Sequence, residues 1–423
     1  MKSISSASLT TFQNLLSFGA ALVLLPAGAK AQVIPLSDDA FEKTESSLFE
    51  EIFGRGEVLF HLRARYEFAD QSGLQASHAA TVRARLGYTT NRELPLSATL
   101  EFSDVRAIDG NAYNQAGANN QPHKSVIADP ESTELNQAFL YFKQENFSAK
   151  LGRQRLLIDN QRFIGNSGWR QTEQTFDALT LRYEMEEGPT FLYSYLDQIN
   201  RIFGHENPGG RWDSDSHLVH IRSPLGPVGT GGTYAYFLKF KTAPASSGDT
   251  FGLWFQPDFS RFSIPVSLYL ELAHQTENSR NPAGNDFNHL YYRAEIELNA
   301  NRFTVGSGFE RLEGNGVTAF QTPLAGFHNF NGWADQFLTT PKNGLDDVYL
   351  FATTKFPAKI SGRTEAHHFS AQRGSETYGH ELGVLLGRSL TEYASVSTKI
   401  ARFDGKNGRP NVTKFWVQAE LRF

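Results

Sequence analysis

The residues with the strongest chemical character in this chain are arginines spaced two apart, Arg63 with Arg65 and Arg83 with Arg85. In an extended chain, positions i and i+2 share a face. Each couple therefore sets two guanidiniums on one side, while Leu62, Ala64, Tyr66 and Phe68, then Val82, Ala84 and Leu86, take the other. A guanidinium keeps its charge and forks onto carboxylate or phosphate oxygens, so a ring of such groups favours anions. The same polar face predicts Arg182, Arg293 and Arg363 inward and Arg153 close to an outer loop. Acids share it: Glu67, Glu101, Glu295, Glu297, Glu365 and Glu381. The plainer alternative is that these groups pair across strands and fill a polar wall. Arg63 and Arg83 fall on neighbouring strands, where like charges opposite each other weaken pairing. A passing anion or nearby acids must then offset them.

Catalytic chemistry has fewer candidates. His367-His368 with Glu365, and Asp346-Asp347 with His328, are the titratable clusters. Adjacent histidines on a strand point to opposite faces, so only one of the pair can serve a site. Neither Gly-x-Ser-x-Gly nor His-Glu-x-x-His occurs, and His380-Glu381 lacks the second histidine of a zinc site. There are no cysteines, which removes thiolate metal sites and a disulfide scaffold. No metal and no cofactor are expected. Nor is nucleic acid, which wants a basic footprint: the chain carries 40 Lys+Arg against 45 Asp+Glu.

The elements that must hold the arginines begin after a leader. Lys2, an apolar run around Leu15 to Leu25, and Ala29-Lys30-Ala31 have the layout of a secretory signal over residues 1–31. Residues 32–56 are acidic and without alternation, and are read as a periplasmic lead-in with room for one short helix. From Glu57 the period becomes two and stays so to Phe423. Eighteen strands are predicted, at about 57–69, 80–91, 95–106, 133–143, 147–157, 175–186, 190–202, 216–223 and 233–242, then 250–257, 264–276, 288–299, 302–312, 346–356, 359–371, 377–388, 392–403 and 412–423. Charges on one face and lipid-compatible groups on the other are the pattern of a transmembrane antiparallel β-barrel, an all-β fold. Loop lengths sort by side. Even connections are short, as at 91–94, 144–146, 187–188 and 299–301, with 223–232 an exception; the long ones, 107–132, 159–174 and 313–345, are all odd. Short periplasmic turns and long extracellular loops are the barrel's habit. The last strand closes the pattern with Phe415, Val417, Ala419, Leu421 and Phe423 on one face and Lys414, Trp416, Gln418, Glu420 and Arg422 on the other. A terminal phenylalanine in that setting is similar to the assembly signal of outer-membrane barrels.

Two loops carry a family likeness. The first follows Lys150-Leu151-Gly152-Arg153-Gln154 and holds Arg162, Gly165, Asn166, Trp169 and Arg170 before Phe176-Asp177-Ala178-Leu179. The second holds Pro323-Leu324, the run His328-Asn329-Phe330-Asn331-Gly332-Trp333-Ala334-Asp335-Gln336-Phe337-Leu338, Thr340-Pro341 and Gly344-Leu345-Asp346-Asp347. Together they resemble the alginate-export family of outer-membrane channels. The resemblance implies an eighteen-stranded barrel over residues 57–423 in the outer membrane of a Gram-negative bacterium, among membrane lipid and lipopolysaccharide, acting as a monomer. It also implies passive diffusion of an anionic substrate, in the namesake case a uronate polysaccharide such as alginate. A general or small-anion nutrient porin remains the alternative, with a barrel enzyme or an adhesin behind it. Arg162, Arg170 and Asp177 join the candidate pore residues. Trp169, Trp333 and Asp335 are candidates for a loop that narrows or covers the pore, with loop-to-wall packing the plainer reading for both tryptophans and turn formation the plainer one for Asp335.

Overall fold

A computed structural model describes residues 49–423 apart from 109, 111, 261–264, 280 and 282–286. The leader and nearly all of the lead-in lie outside the described residues. Eighteen strands follow: β1 (Glu57–Gln71), β2 (Ser77–Thr89), β3 (Leu96–Ala107), β4 (Ser132–Gln144), β5 (Phe147–Gln154), β6 (Thr175–Glu184), β7 (Thr190–Asn200), β8 (Arg211–Pro224) and β9 (Gly229–Leu238), then β10 (Gly248–Pro257), β11 (Val266–Thr276), β12 (Asn288–Ala300), β13 (Phe303–Leu312), β14 (Leu345–Phe356), β15 (Ile360–Ser370), β16 (Thr377–Ser389), β17 (Ala394–Gly405) and β18 (Val412–Arg422). Each pairs antiparallel with its neighbours, and β18 returns to β1, so the sheet closes with no free edge. Closure satisfies every strand's backbone, the condition for spanning lipid.

The expected alternation is met. On β1, Arg63, Arg65 and Glu67 are buried inside the barrel while Ala64 and Tyr66 are exposed outside; on β16, Glu381 is buried between exposed His380 and Leu382. The outward face presents Leu86, Leu100, Leu140, Leu151, Leu350, Leu382 and Val417 to the bilayer. The loop sorting is also met. The connection expected to be long, 223–232, shrinks to residues 225–228, because β8 and β9 both run further than the Gly- and Pro-rich sequence suggested and leave only a short 3₁₀ turn. Residues 50–53 form a helical turn on the short-turn side, where the Asn91 N–H donates to the Ile52 carbonyl at 2.9 Å.

β18 seals the barrel along a register from His61↔Arg422 to Gln71↔Val412. Phe423 continues it: its N–H donates to the Phe60 carbonyl at 3.0 Å, and its ring packs 5.8 Å from Phe60 and 5.2 Å from Tyr393. Deleting Phe423 removes the group that pins the seam's end. Insertion into outer membranes is expected to fall, read as loss of the heat-modifiable band; wild-type insertion would deprive the C-terminus of that role.

Candidate functional site

Eighteen strands enclose a lumen too wide for wall side chains to fill, which in barrels of this size leaves an aqueous channel unless loops enter. Two loops do. The stretch 155–174 between β5 and β6 crosses the lumen, and 313–344 between β13 and β14 comes down to meet it. Ile164 and Leu324 form a parallel bridge, Gly165 N–H donates to the Leu324 carbonyl at 2.9 Å, and Gly326 N–H donates to the Gln161 carbonyl at 2.8 Å. Leu324, Ala325 and Ala334 are buried, as are Ile164 and Phe320, so most apolar side chains of the long outer loop are covered by its partner loop and the wall, Val317 and Leu338 being exposed.

The arginine couples hold the crossing loop. Arg63 and Arg83 stand directly opposite each other, as the spacing implied. Arg63 donates to Glu420 at 2.9 Å and to the carbonyls of Gly168, Trp169 and Arg170, each at 3.2 Å. Arg83 donates to the Gln171 carbonyl at 3.2 Å and lies 2.9 Å from His61. Arg65 reaches the Trp169 carbonyl at 2.6 Å and Asp129 at 3.2 Å, and Arg85 pairs with Glu173 at 3.0 Å. What offsets the facing like charges is thus Glu420 and a run of loop carbonyls, strong acceptors for ionised donors. The far end of the loop is tied too: Asp159 accepts from His220 at 2.7 Å and Trp254 at 2.8 Å, and Arg162 pairs with Glu310 at 2.7 Å.

A second knot joins both loops to the wall. Asp335 accepts from Arg170 at 2.5 Å, from Lys414 at 2.9 Å and from His328 at 2.8 Å. Its φ of 59° is the left-handed turn geometry aspartate tolerates, and its three partners are side chains of both loops and the wall. Burial raises the Asp335 carboxyl, but Lys414, His328 and Arg170 outweigh it and hold it well below the usual carboxylate range. Burial, then Lys399, hold the His328 imidazole well below its ordinary value. Trp169 stacks on His328 with centroids 4.5 Å apart, beneath Arg65 at 4.4 Å and Lys399 at 3.8 Å. Trp333 is 4.2 Å from the same Lys399, and its N–H, with that of Ala334, donates to Glu381. Gly332 permits that approach: its φ is 84°, and a Cβ there would fall 2.5 Å from the Glu381 carboxylate.

Other candidates sit elsewhere. Arg182 is lumenal and pairs with Glu184 at 2.5 Å; Arg293 pairs with Glu295 at 3.0 Å, and Arg363 with Glu365 at 3.0 Å. Arg153 and Asp177 differ from expectation. Arg153 alternates with the lumenal Lys150 and Gln154 and so shares the outward face of Leu151, where it forms two hydrogen bonds to Asp177, at 2.6 and 2.8 Å. Near a strand's outer end the wall leaves the hydrocarbon, and a neutralised pair can face outward there, so polarity alone misassigned the side. His367 faces in and meets Asp347 at 2.9 Å, while His368 faces out; among the described residues no cluster of His, Asp and Glu is arranged for a metal ion. Sequence reasoning missed Lys399, Arg155 and Lys150. The only signal for Lys399 and Lys150 was their place on the polar face.

Beneath the crossing loop two cavities of about 640 and 360 Å³ open along the wall from β18 through β1 to β7. Arg63, Arg85, Arg92, Lys150, Arg155, Arg182 and Arg422 line them, against Glu101, Glu173 and Glu184. Glu57 and Glu420, paired with Arg92 and with Arg63 and Arg422, bring the acids to five and leave a cationic excess. Lys150 has aromatic neighbours in place of a carboxylate, Phe139 at 4.6 Å and Tyr141 at 5.7 Å.

Residues 57–193 match the model of the alginate export family. The match includes the crossing loop and ends before the outer one. No curated protein matches the chain. Solved structures of the same fold include Pseudomonas aeruginosa OccK3 (OpdO), 14% identical over 89% of this chain and 97% of that one with a TM-score of 0.66, and Acinetobacter baumannii OccAB4, 11% identical over 87% and 98% with a TM-score of 0.68. Pseudomonas aeruginosa OpdK, solved with vanillate, is 13% identical over 88% and 100% with a TM-score of 0.65. Such identities speak for the fold alone, a closed barrel of the outer-membrane porin kind. With the family match over residues 57–193 and the apolar outer face, the fold is that of a porin-like β-barrel of a Gram-negative outer membrane.

Proposed function

We propose that this porin-like channel passes small anionic solutes, carboxylates above all, by passive diffusion along the cationic side of its lumen. The observation that carries the reading is the excess of cations lining the cavities under the crossing loop, in a chain whose net charge is −5. A local field in a narrow, low-dielectric passage outweighs net charge. The match to the alginate export family supports a uronate among the solutes. The loop packing favours small anions over a long polysaccharide, since a cavity of about 640 Å³ is the size of a site for a small molecule. Arg63, Arg65, Arg83 and Arg85 act in this scheme mainly by fixing the crossing loop, while Lys150 and Arg182 meet the solute.

Planar-bilayer recordings in a salt gradient test this. The parent is expected to prefer anions, and Lys150→Gln with Arg182→Gln to move the reversal potential towards cations without loss of the folded barrel. A monomeric uronate should block the parent at lower concentration than it blocks the double variant. An unchanged reversal potential in the variant, or a cation-selective parent, overturns the proposal.

A further inference from the structure

Five of the twelve histidines, His78, His217, His274, His368 and His380, lie on the outward face of the wall. All but His217 fall within three residues of the long-loop end of their strand, the end that meets the outer leaflet. Three of them bond side chains of the neighbouring strand, His78 with Tyr66 at 2.8 Å, His217 with Tyr193 at 2.8 Å and His274 with Asn288 at 2.5 Å, whereas His368 and His380 have each other. The densest group is on β15 to β17. His368 pairs in register with His380, with Nδ1 atoms 3.1 Å apart, and His380 pairs with Asp404. One step inward along the same face stands Arg402, exposed and opposite Leu382. It donates one N–H to Thr413 at 2.5 Å, which steadies the guanidinium and leaves its other donors facing out. The acid in this patch, Asp404, is taken by Lys406 at 2.6 Å. Directly below, Leu382, Val384 and Ile400 are exposed on the same strands and form an apolar bed.

We propose that His368, His380 and Arg402 form a binding site for a phosphate group of a phosphorylated outer-leaflet glycolipid, whose acyl chains lie on Leu382, Val384 and Ile400. Guanidinium and imidazole N–H groups are the donors that suit a phosphate, and charge-assisted bonds of this kind are roughly twice as strong as neutral ones. A polar head placed over an apolar bed fits an amphiphile better than a free ion. The site lies on the outer wall and stands or falls independently of what passes through the lumen.

The test is native mass spectrometry of the full-length barrel in detergent, titrated with bisphosphorylated lipid A, with the same lipid stripped of its phosphates, and with inorganic phosphate as competitor. The parent is expected to retain the bisphosphorylated lipid. His368→Ala with His380→Ala and Arg402→Ala should retain it on the order of tenfold less well, as should Arg402→Ala alone to a smaller extent. Arg388→Ala, on the same outward face at the other end of β16, should bind like the parent. Arg402→Ala carries the comparison if the triple variant does not fold. Equal binding by parent and variants, or equal binding of the stripped lipid, overturns the proposal; displacement by inorganic phosphate at the lipid's own concentration overturns the lipid as occupant.

Discussion

Deleting residues 318–340 is expected to raise single-channel conductance severalfold while the barrel still migrates as a folded, heat-modifiable species. The stems of the outer loop can bear the cut: Gly316 N–H donates to the Lys342 carbonyl at 2.8 Å and Gly344 N–H to the Pro341 carbonyl at 2.8 Å, so a short hairpin remains between β13 and β14. What disappears is the mass that covers the crossing loop, including Phe320, Leu324, Trp333 and Phe337. Arg162 keeps Glu310 but loses Thr322 and Asn331, and Arg170 keeps only the looser contact with Glu67 at 3.6 Å. The crossing loop should then sample the lumen more freely, seen as added current noise. Conductance equal to the parent's would make the outer loop a passive filler. A failure to fold would make it part of the wall.

Asp335→Ala is the second large effect, and it reaches the same device through one side chain. Arg170, Lys414 and His328 would lose their common acceptor in a site that water barely reaches. Removing one partner of a buried pair costs about 3–5 kcal/mol, because the remaining charges stay desolvated. Both loops should loosen, with a lower unfolding temperature and a higher conductance at neutral pH. The pH dependence has a fixed sign. The Asp335 carboxyl is depressed well below 3.8 in the folded chain, so its contribution is full above that value and is lost as pH falls through the folded one. Parent and variant should therefore converge in strong acid. A variant that melts with the parent at neutral pH would show that Lys414 and Arg170 find other acceptors, and the knot would lose its central role.

The amino-acid sequence by itself determined the barrel. Alternation with period two fixes which face of each strand meets lipid, and one residue of slip would invert every side chain, so the strand count and the approximate strand ends were legible from Glu57 to Phe423. Loop length fixed which end is which. The likeness to the alginate-export family was legible in two loops, although the family match found over residues 57–193 takes in only the first. Only the tertiary structure decided what the inward charges do. Arg63 faces Arg83 because strand pairing puts it there, but whether a guanidinium meets solute, acid or loop carbonyl depends on chain more than 100 residues away, and periodicity carries no record of that. Arg153 and Asp177 went to the outer face because polarity ceases to mark the lumen where the wall leaves the hydrocarbon. Asp335 gained its three partners only when residues 170, 328 and 414 converged across a closed barrel, a contact that exists because the lumen is too wide to stay empty.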